Sequence, residues 1–188
     1  MKEKVVIISA PSGAGKTTVV KHLLKVFPEF EFSVSACNRE KRKNEINGVD
    51  YYFITTDEFR NKTINNEFVE WEEVYENCFY GTLRSEIERI WEKGNIVIFD
   101  VDVKGGINLK RIFGNKALSI FISPPNLKTL EQRLRQRLTE DEKSIEKRVA
   151  KASLEMQFAN NFDKVLINNN LNETLLTAET LIKEWLKK

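Results

Sequence analysis

Val5-Val6-Ile7-Ile8-Ser9-Ala10-Pro11-Ser12-Gly13-Ala14-Gly15-Lys16-Thr17-Thr18 is the stretch that decides how this chain folds. Its first four residues form an unbroken β-branched run, the pattern of a strand buried on both faces. Small residues from Ser9 to Gly15 then make a turn, and Thr17 to Val26 places apolar side chains at helical spacing. The reading is strand, loop, helix. Ala10 to Thr17 fits the Walker A pattern with alanine in place of the first glycine, and each part has a task. Small residues let backbone N–H groups curl around a β-phosphate, the Lys16 ammonium reaches the β- and γ-phosphates, and the Thr17 hydroxyl can hold Mg²⁺. An ordinary glycine turn is the alternative, but the strand before and the helix after supply the context the motif requires. Alanine at position 10 is compatible with a phosphate loop provided its φ is negative.

Outward from this loop, Asn95 to Phe99 and Ala117 to Ile122 are again apolar on both faces. Each follows a helical segment closed by glycine, at Lys93-Gly94 and Phe113-Gly114. A parallel sheet covered by helices accounts for all three runs. Asp163 to Ile167 adds a short strand, and an amphipathic helix spans roughly Glu173 to Lys187. Asp100 ends one buried run, where a phosphate-loop protein needs an acid to orient the metal's shell, although a strand-end aspartate is more often a turn former.

Two stretches of different character interrupt this core. Between Phe32 and Thr82 lie a basic loop, a strand Tyr51 to Ile54, a helix opened by the capping box Thr55-x-x-Glu58, and the aromatic-rich run Phe68 to Tyr80. After Pro124-Pro125 come two charged helices, Leu127 to Leu138 and, behind a second capping box Thr139-x-x-Glu142, about Asp141 to Asn160. The expected organisation is one α/β domain over residues 1–188. Its core comprises 1–31, 83–125 and 158–188, with a small α+β lobe at 32–82 and a helical lid at 126–157.

Composition excludes several classes. Thirty Lys and Arg against 28 Asp and Glu leave a formal net charge of +2, so an anion site must come from local clustering. The first apolar run is too short for a signal or a membrane span, so the expectation is a cytoplasmic protein with no membrane partner. Cys37 and Cys78 form neither a CxxC nor a Cys/His cluster, so reduced thiols are expected. His22, the one histidine, lies among lysines on what reads as a solvated helix face. The basic run Arg39-Glu40-Lys41-Arg42-Lys43 is read equally well, taken alone, as a phosphate clamp, a solvated loop or a nucleic-acid patch.

The order of motifs along the chain narrows these readings. Phe32-Ser33-Val34-Ser35, Arg39 and Arg42, Glu45-x-x-Gly48-x-Asp50-Tyr51-x-Phe53, Phe68-Val69-Glu70-Trp71 and Tyr80-Gly81-Thr82 closely resemble the GMP-binding segment of guanylate kinases. Phe99-Asp100-Val101-Asp102-Val103, Ile122-x-Pro124-Pro125, Arg133-x3-Arg137, Lys147-Arg148 and Val165-x-Ile167-Asn168 continue the likeness over essentially the whole chain.

That resemblance implies a Mg²⁺-dependent kinase taking ATP and GMP, with dGMP as a further acceptor, no nucleic-acid partner, and a monomer or small homo-oligomer. It implies an ATP site at Ser12, Gly13, Ala14, Gly15, Lys16, Thr17 and Thr18, with the Asn168 side chain toward adenine and the metal at Thr17 and Asp100. Arg39, Arg42, Tyr51 and Tyr80 would hold the GMP phosphate, since guanidinium and hydroxyl groups are its natural donors. Glu70 would accept from guanine's ring N–H and amine, Ser35 and Thr82 would donate to its carbonyl, and Asp102 would face the base. Lys16, Arg39, Arg133, Arg137 and Arg148 would carry catalysis by spreading transition-state charge.

The chain departs from the family's usual pattern at Cys37-Asn38, Lys41 and Asn44, in an extra residue before Tyr80, and in Asn168-Asn169-Asn170. Two other readings share the fold. A phosphopeptide-binding module would lack a working phosphate loop, whereas Gly13, Gly15, Lys16 and Thr17 are intact. A kinase for another acceptor would have no use for Ser35, Glu70 and Thr82 as a guanine-reading set.

Overall fold

A computed structural model describes residues 3–136 and 142–187. In chain order the first half holds β1 (Val5–Ser9), α1 (Lys16–Val26), β2 (Phe30–Phe32), β3 (Ala36–Cys37), β4 (Tyr52–Phe53), α2 (Thr56–Ile64), β5 (Phe68–Tyr75) and β6 (Cys78–Leu83). The second half holds α3 (Arg84–Glu92), β7 (Ile96–Val101), α4 (Val103–Phe113), β8 (Ala117–Ser123), α5 (Leu127–Gln136), α6 (Glu142–Met156), β9 (Lys164–Ile167) and α7 (Leu171–Leu186).

Five strands form a parallel sheet in the order β2-β7-β1-β8-β9. Strand alternation sends Val6 and Ile8 to one face, where they meet Val19, Val20 and Leu23 of α1 and Ala178 and Ile182 of α7. Val5 and Ile7 go to the other face, against Ile87 and Ile90 of α3 and Leu109 of α4. Helices on both faces explain why β1 and β8 are buried throughout and read as continuous apolar runs. Gly94 and Gly114 end their helices at φ +78° and +52°, as the sequence required. His22 is only partly solvated: 29% exposed, its Nε2 lies 2.8 Å from Glu179 Oε1 and links α1 to α7.

A second sheet, in the order β4-β3-β6-β5, is drawn from residues 36–83. The aromatic run proves to be a hairpin, β5 against β6, turned at Asn77 with φ +56°. Its small core stacks Phe59 of α2 on Phe68 with ring centroids 4.4 Å apart. The Thr55 capping box is present at the start of α2. The expected strand at Tyr51 to Ile54 shrinks to Tyr52–Phe53, because only that pair finds a partner on β3. Buried Glu86 joins the two sheets: it accepts from the Val34 N–H and the Tyr52 hydroxyl, both at 3.2 Å, and is forked by Arg89.

α5 and α6 pack together over one end of the large sheet, with Leu130, Leu134, Ile145 and Ala152 in its core. α6 stops at Met156, short of the expected Asn160, and a 3₁₀ turn follows at Ala159–Asn161. The Thr139 capping box and Arg137 lie outside the described residues. Both cysteines are free thiols, Cys37 buried and Cys78 partly exposed. Among the described residues no helix is long and apolar enough to cross a membrane.

Candidate active site

The loop between β1 and α1 winds through Gly13 and Gly15 at φ +93° and +101°, conformations closed to most side chains. Space forbids a side chain there as well, since a Cβ on Gly15 would stand 2.5 Å from Asn168 Nδ2. Ala10 is not among the positive-φ residues, so alanine costs the loop nothing at that position. Lys16 Nζ lies 2.6 Å from Asp100 Oδ1 and donates to the Val101 carbonyl at 2.8 Å. Parallel pairing of β1 with β7 sets Asp100 beside Ile8, which is why an acid distant in sequence meets the loop. Burial works against the Lys16 charge, but Asp100 more than offsets it and raises the pKa. Thr17 Oγ1 donates to Asp100 Oδ2 at 3.1 Å, so a hydroxyl and a carboxylate stand together as hard oxygen donors. No cluster of three or more His, Cys, Asp or Glu suited to a metal occurs among the described residues.

Across the cleft, the Arg39 guanidinium is committed in four directions. Nε donates to the Tyr80 hydroxyl at 2.9 Å, one NH1 hydrogen to Glu40 O, and NH1 and NH2 fork Glu45 at 2.7 and 2.6 Å. Of its five N–H groups one NH2 hydrogen remains. The Tyr51 and Phe53 rings face the guanidinium at 4.9 and 5.3 Å. Arg39 holds the Glu45 carboxyl down at about 2, so that pair is charged at any working pH. Arg42 is exposed, borders the same cleft, and makes no ion pair among the described residues. Burial raises the pKa of both Tyr51 and Tyr80, keeping their hydroxyls as neutral donors.

Deeper on the same wall, Glu70 stands on β5 with its carboxylate against the start of α4. Gly105 permits that approach, since a Cβ there would lie 3.1 Å from Glu70 Oε2. Burial, joined by Asp102 and Glu72, pushes the Glu70 carboxyl up to about 7, while the Thr82 hydroxyl pulls it back. Thr82 differs from expectation: fully buried, it spends its single proton on Glu70 Oε1 at 2.7 Å, leaving Ser35 to offer a hydroxyl to the cleft. Asp102 borders the cleft and caps α4, accepting from the Gly105 N–H at 2.8 Å.

α6 brings Arg148 NH1 to 2.6 Å from Ser12 Oγ, over the phosphate loop. Arg133 NH2 donates to the Asn168 carbonyl at 2.9 Å. The Asn168 side chain does not turn outward as expected. It is 4% exposed, donates to Ala14 O at 2.8 Å and accepts from Thr174, so it supports the loop from behind. Sequence reasoning missed Lys151 and Glu155, which also line the cleft. Their offsets of three and seven from Arg148 on one helix were the available signal.

These walls enclose about 290 Å³ between Lys16 and Thr17 on one side and Tyr51, Glu70 and Tyr80 on the other. A phosphate loop facing a basic and aromatic wall across one cleft, on a parallel sheet flanked by helices, defines a P-loop kinase. The guanylate kinase family model matches residues 2–185. The chain is 49% identical over 183 residues to a guanylate kinase of Bacteroides fragilis, covering 97% of this chain and 90% of the relative. It is 44% identical over 182 residues to a guanylate kinase of Salinibacter ruber, with 97% and 96% covered. The crystal structure of guanylate kinase from Anaplasma phagocytophilum superposes with a TM-score of 0.77 at 28% identity, covering 96% of this chain and 85% of that one. The chain belongs to the guanylate kinase family.

Proposed function

We propose that the residues lining this cleft share the work of transferring the terminal phosphoryl group of ATP to GMP. One observation carries the reading: the Lys16–Asp100 pair of the phosphate loop and the buried, guanine-competent carboxylate of Glu70 open into the same cleft. Residues Ser12 to Thr18 take the ATP phosphates, with Lys16 exchanging Asp100 for phosphate oxygens. GMP enters opposite. Its phosphate meets Arg42, the remaining N–H of Arg39 and the hydroxyls of Tyr51 and Tyr80, while Glu45 holds Arg39 rigid. Its base lies along Glu70, Ser35 and Asp102.

The attacking group is already an anion, so no general base is needed, and positioning with charge neutralisation supplies the rate. Arg148, poised on Ser12, and Arg133 bring positive charge to the transferring group, and Arg137 is assigned the same task. Magnesium fits the donors present: one carboxylate and one hydroxyl, at Asp100 and Thr17, leave most positions to phosphate oxygens and water, as this ion prefers. When bound it neutralises charge on the phosphates. The stretch 32–82 and the stretch 126–157 act as lobe and lid that shut water out before transfer. A coupled assay with ATP and each nucleoside monophosphate tests the assignment. Turnover of GMP far above AMP, CMP and UMP is expected, and equal turnover of AMP would refute it.

A further inference from the structure

The cleft contains a carboxylate that none of these roles uses. Asp100 is held by Lys16 and Thr17, Asp102 caps α4, Glu70 takes the Thr82 proton, and Glu72 pairs with Lys104 at 2.8 Å. Among the described residues, Glu155 is the remaining acid on the cleft wall. Its side chain is 13% exposed, with Lys151 Nζ at 3.6 Å from Oε1. Lys151 is itself braced from the opposite wall, its Nζ standing 4.8 Å over the Tyr75 ring on β5. The acid is therefore held in place across the cleft instead of swinging on a free helix surface.

Its place on the helix locates it along a bound nucleotide. Arg148 reaches Ser12 at the phosphoryl end of the cleft, Glu155 lies two helical turns, about 10 Å, further on, and Lys151 between them stands over Tyr75 of β5, the strand that carries Glu70 at the base end. A nucleoside monophosphate lying between those ends has its ribose in the middle. A ribose diol offers two O–H donors, and a carboxylate is an acceptor at both oxygens. Acids serve the same purpose toward ribose in dinucleotide-binding folds.

We propose that Glu155 accepts a hydrogen bond from a ribose hydroxyl of GMP and so reads the sugar, with Lys151 as its positioning residue. The inference rests on the GMP reading of the cleft. A hydrogen bond to a charged acceptor sets the expected effect at about tenfold.

The test compares kcat/KM for GMP, 2′-deoxyGMP and 3′-deoxyGMP at saturating ATP in wild type, Glu155→Ala and Glu155→Gln. Wild type is expected to prefer GMP to at least one deoxy analogue by about tenfold. Glu155→Ala lowers GMP to the level of that analogue and leaves the analogue and KM for ATP unchanged. Glu155→Gln, which keeps a neutral acceptor, falls between. A merely structural role would depress all three substrates alike, and a wild-type sugar preference preserved in Glu155→Ala overturns the proposal, as does its absence from wild type. Should the alanine variant fail to fold, the glutamine variant decides on the same ratios. Failure of the base assignment is separable, because it would show as wild type accepting AMP as readily as GMP.

Discussion

Glu70→Gln is the substitution that bears hardest on the mechanism, because it changes one atom at the proposed reader of the base. An ionised carboxylate only accepts, and guanine offers two donors on the edge where adenine offers a bare ring nitrogen. AMP therefore leaves a buried charge unmatched, a mismatch that commonly rejects a ligand by about 10⁴-fold. In the variant the amide accepts from one guanine donor while its own N–H₂ confronts the other. The GMP over AMP ratio of kcat/KM should fall by about 10² or more, largely through GMP.

The pKa sharpens the experiment. With the Glu70 carboxyl at about 7, about one-tenth of the molecules are ionised at pH 6 and about nine-tenths at pH 8. Wild-type kcat/KM for GMP should rise about tenfold across that interval, and the variant should lose this step. GMP's own phosphate, titrating near pH 6, contributes equally to both proteins and cancels in the comparison. Stability supplies an independent check. A folded pKa raised above the unfolded one gives stability that is complete below pH ~4.5 and lost as pH rises through about 7. The variant should match wild type in unfolding free energy at pH 4 and exceed it at pH 8, by at most about 3 kcal/mol. A GMP over AMP ratio unchanged within a factor of about three, below 1 kcal/mol, would refute Glu70 as the specificity residue.

Lys16→Ala should lower turnover by about 10²-fold or more while the variant still folds and unfolds cooperatively, because the ammonium contacts Asp100 and Val101 O and not the apolar core. Near-native turnover would remove the loop from the mechanism. Gly81→Ala should destabilise the second sheet, since the new Cβ would stand 2.8 Å from Phe68 Cδ1 and 3.0 Å from Trp71 Cβ. Urea unfolding should register about 1–3 kcal/mol, and a neutral result would show that the Phe68 packing yields. Small-angle scattering with a bisubstrate dinucleotide should show a smaller radius of gyration than without it, and an unchanged value would count against closure of lobe and lid.

The sequence by itself determined four of the five strands of the large sheet, all but the short edge strand β2, together with the phosphate loop and the family. Buried parallel strands and glycine-closed helices leave a periodic signal within a few consecutive residues, and so does a loop whose backbone must curl around phosphate. Through the resemblance it also singled out Arg148 and Glu70, both of which line the cleft. Tertiary structure alone decided how the polar groups pair, because that depends on neighbours far away in the chain. Asn168 reads as an outward ligand until Ala14 and Thr174 claim its amide, and Thr82 reads as a base donor until Glu70 takes its proton. His22 reads as solvated until α7 brings Glu179 against it. Glu155 carried only its seven-residue offset from Arg148 in the sequence, a weak signal, since an acid on a charged helix is usually solvated. The fold laid that helix along the cleft wall and braced its carboxylate there through Lys151, whose ammonium stands over the Tyr75 ring.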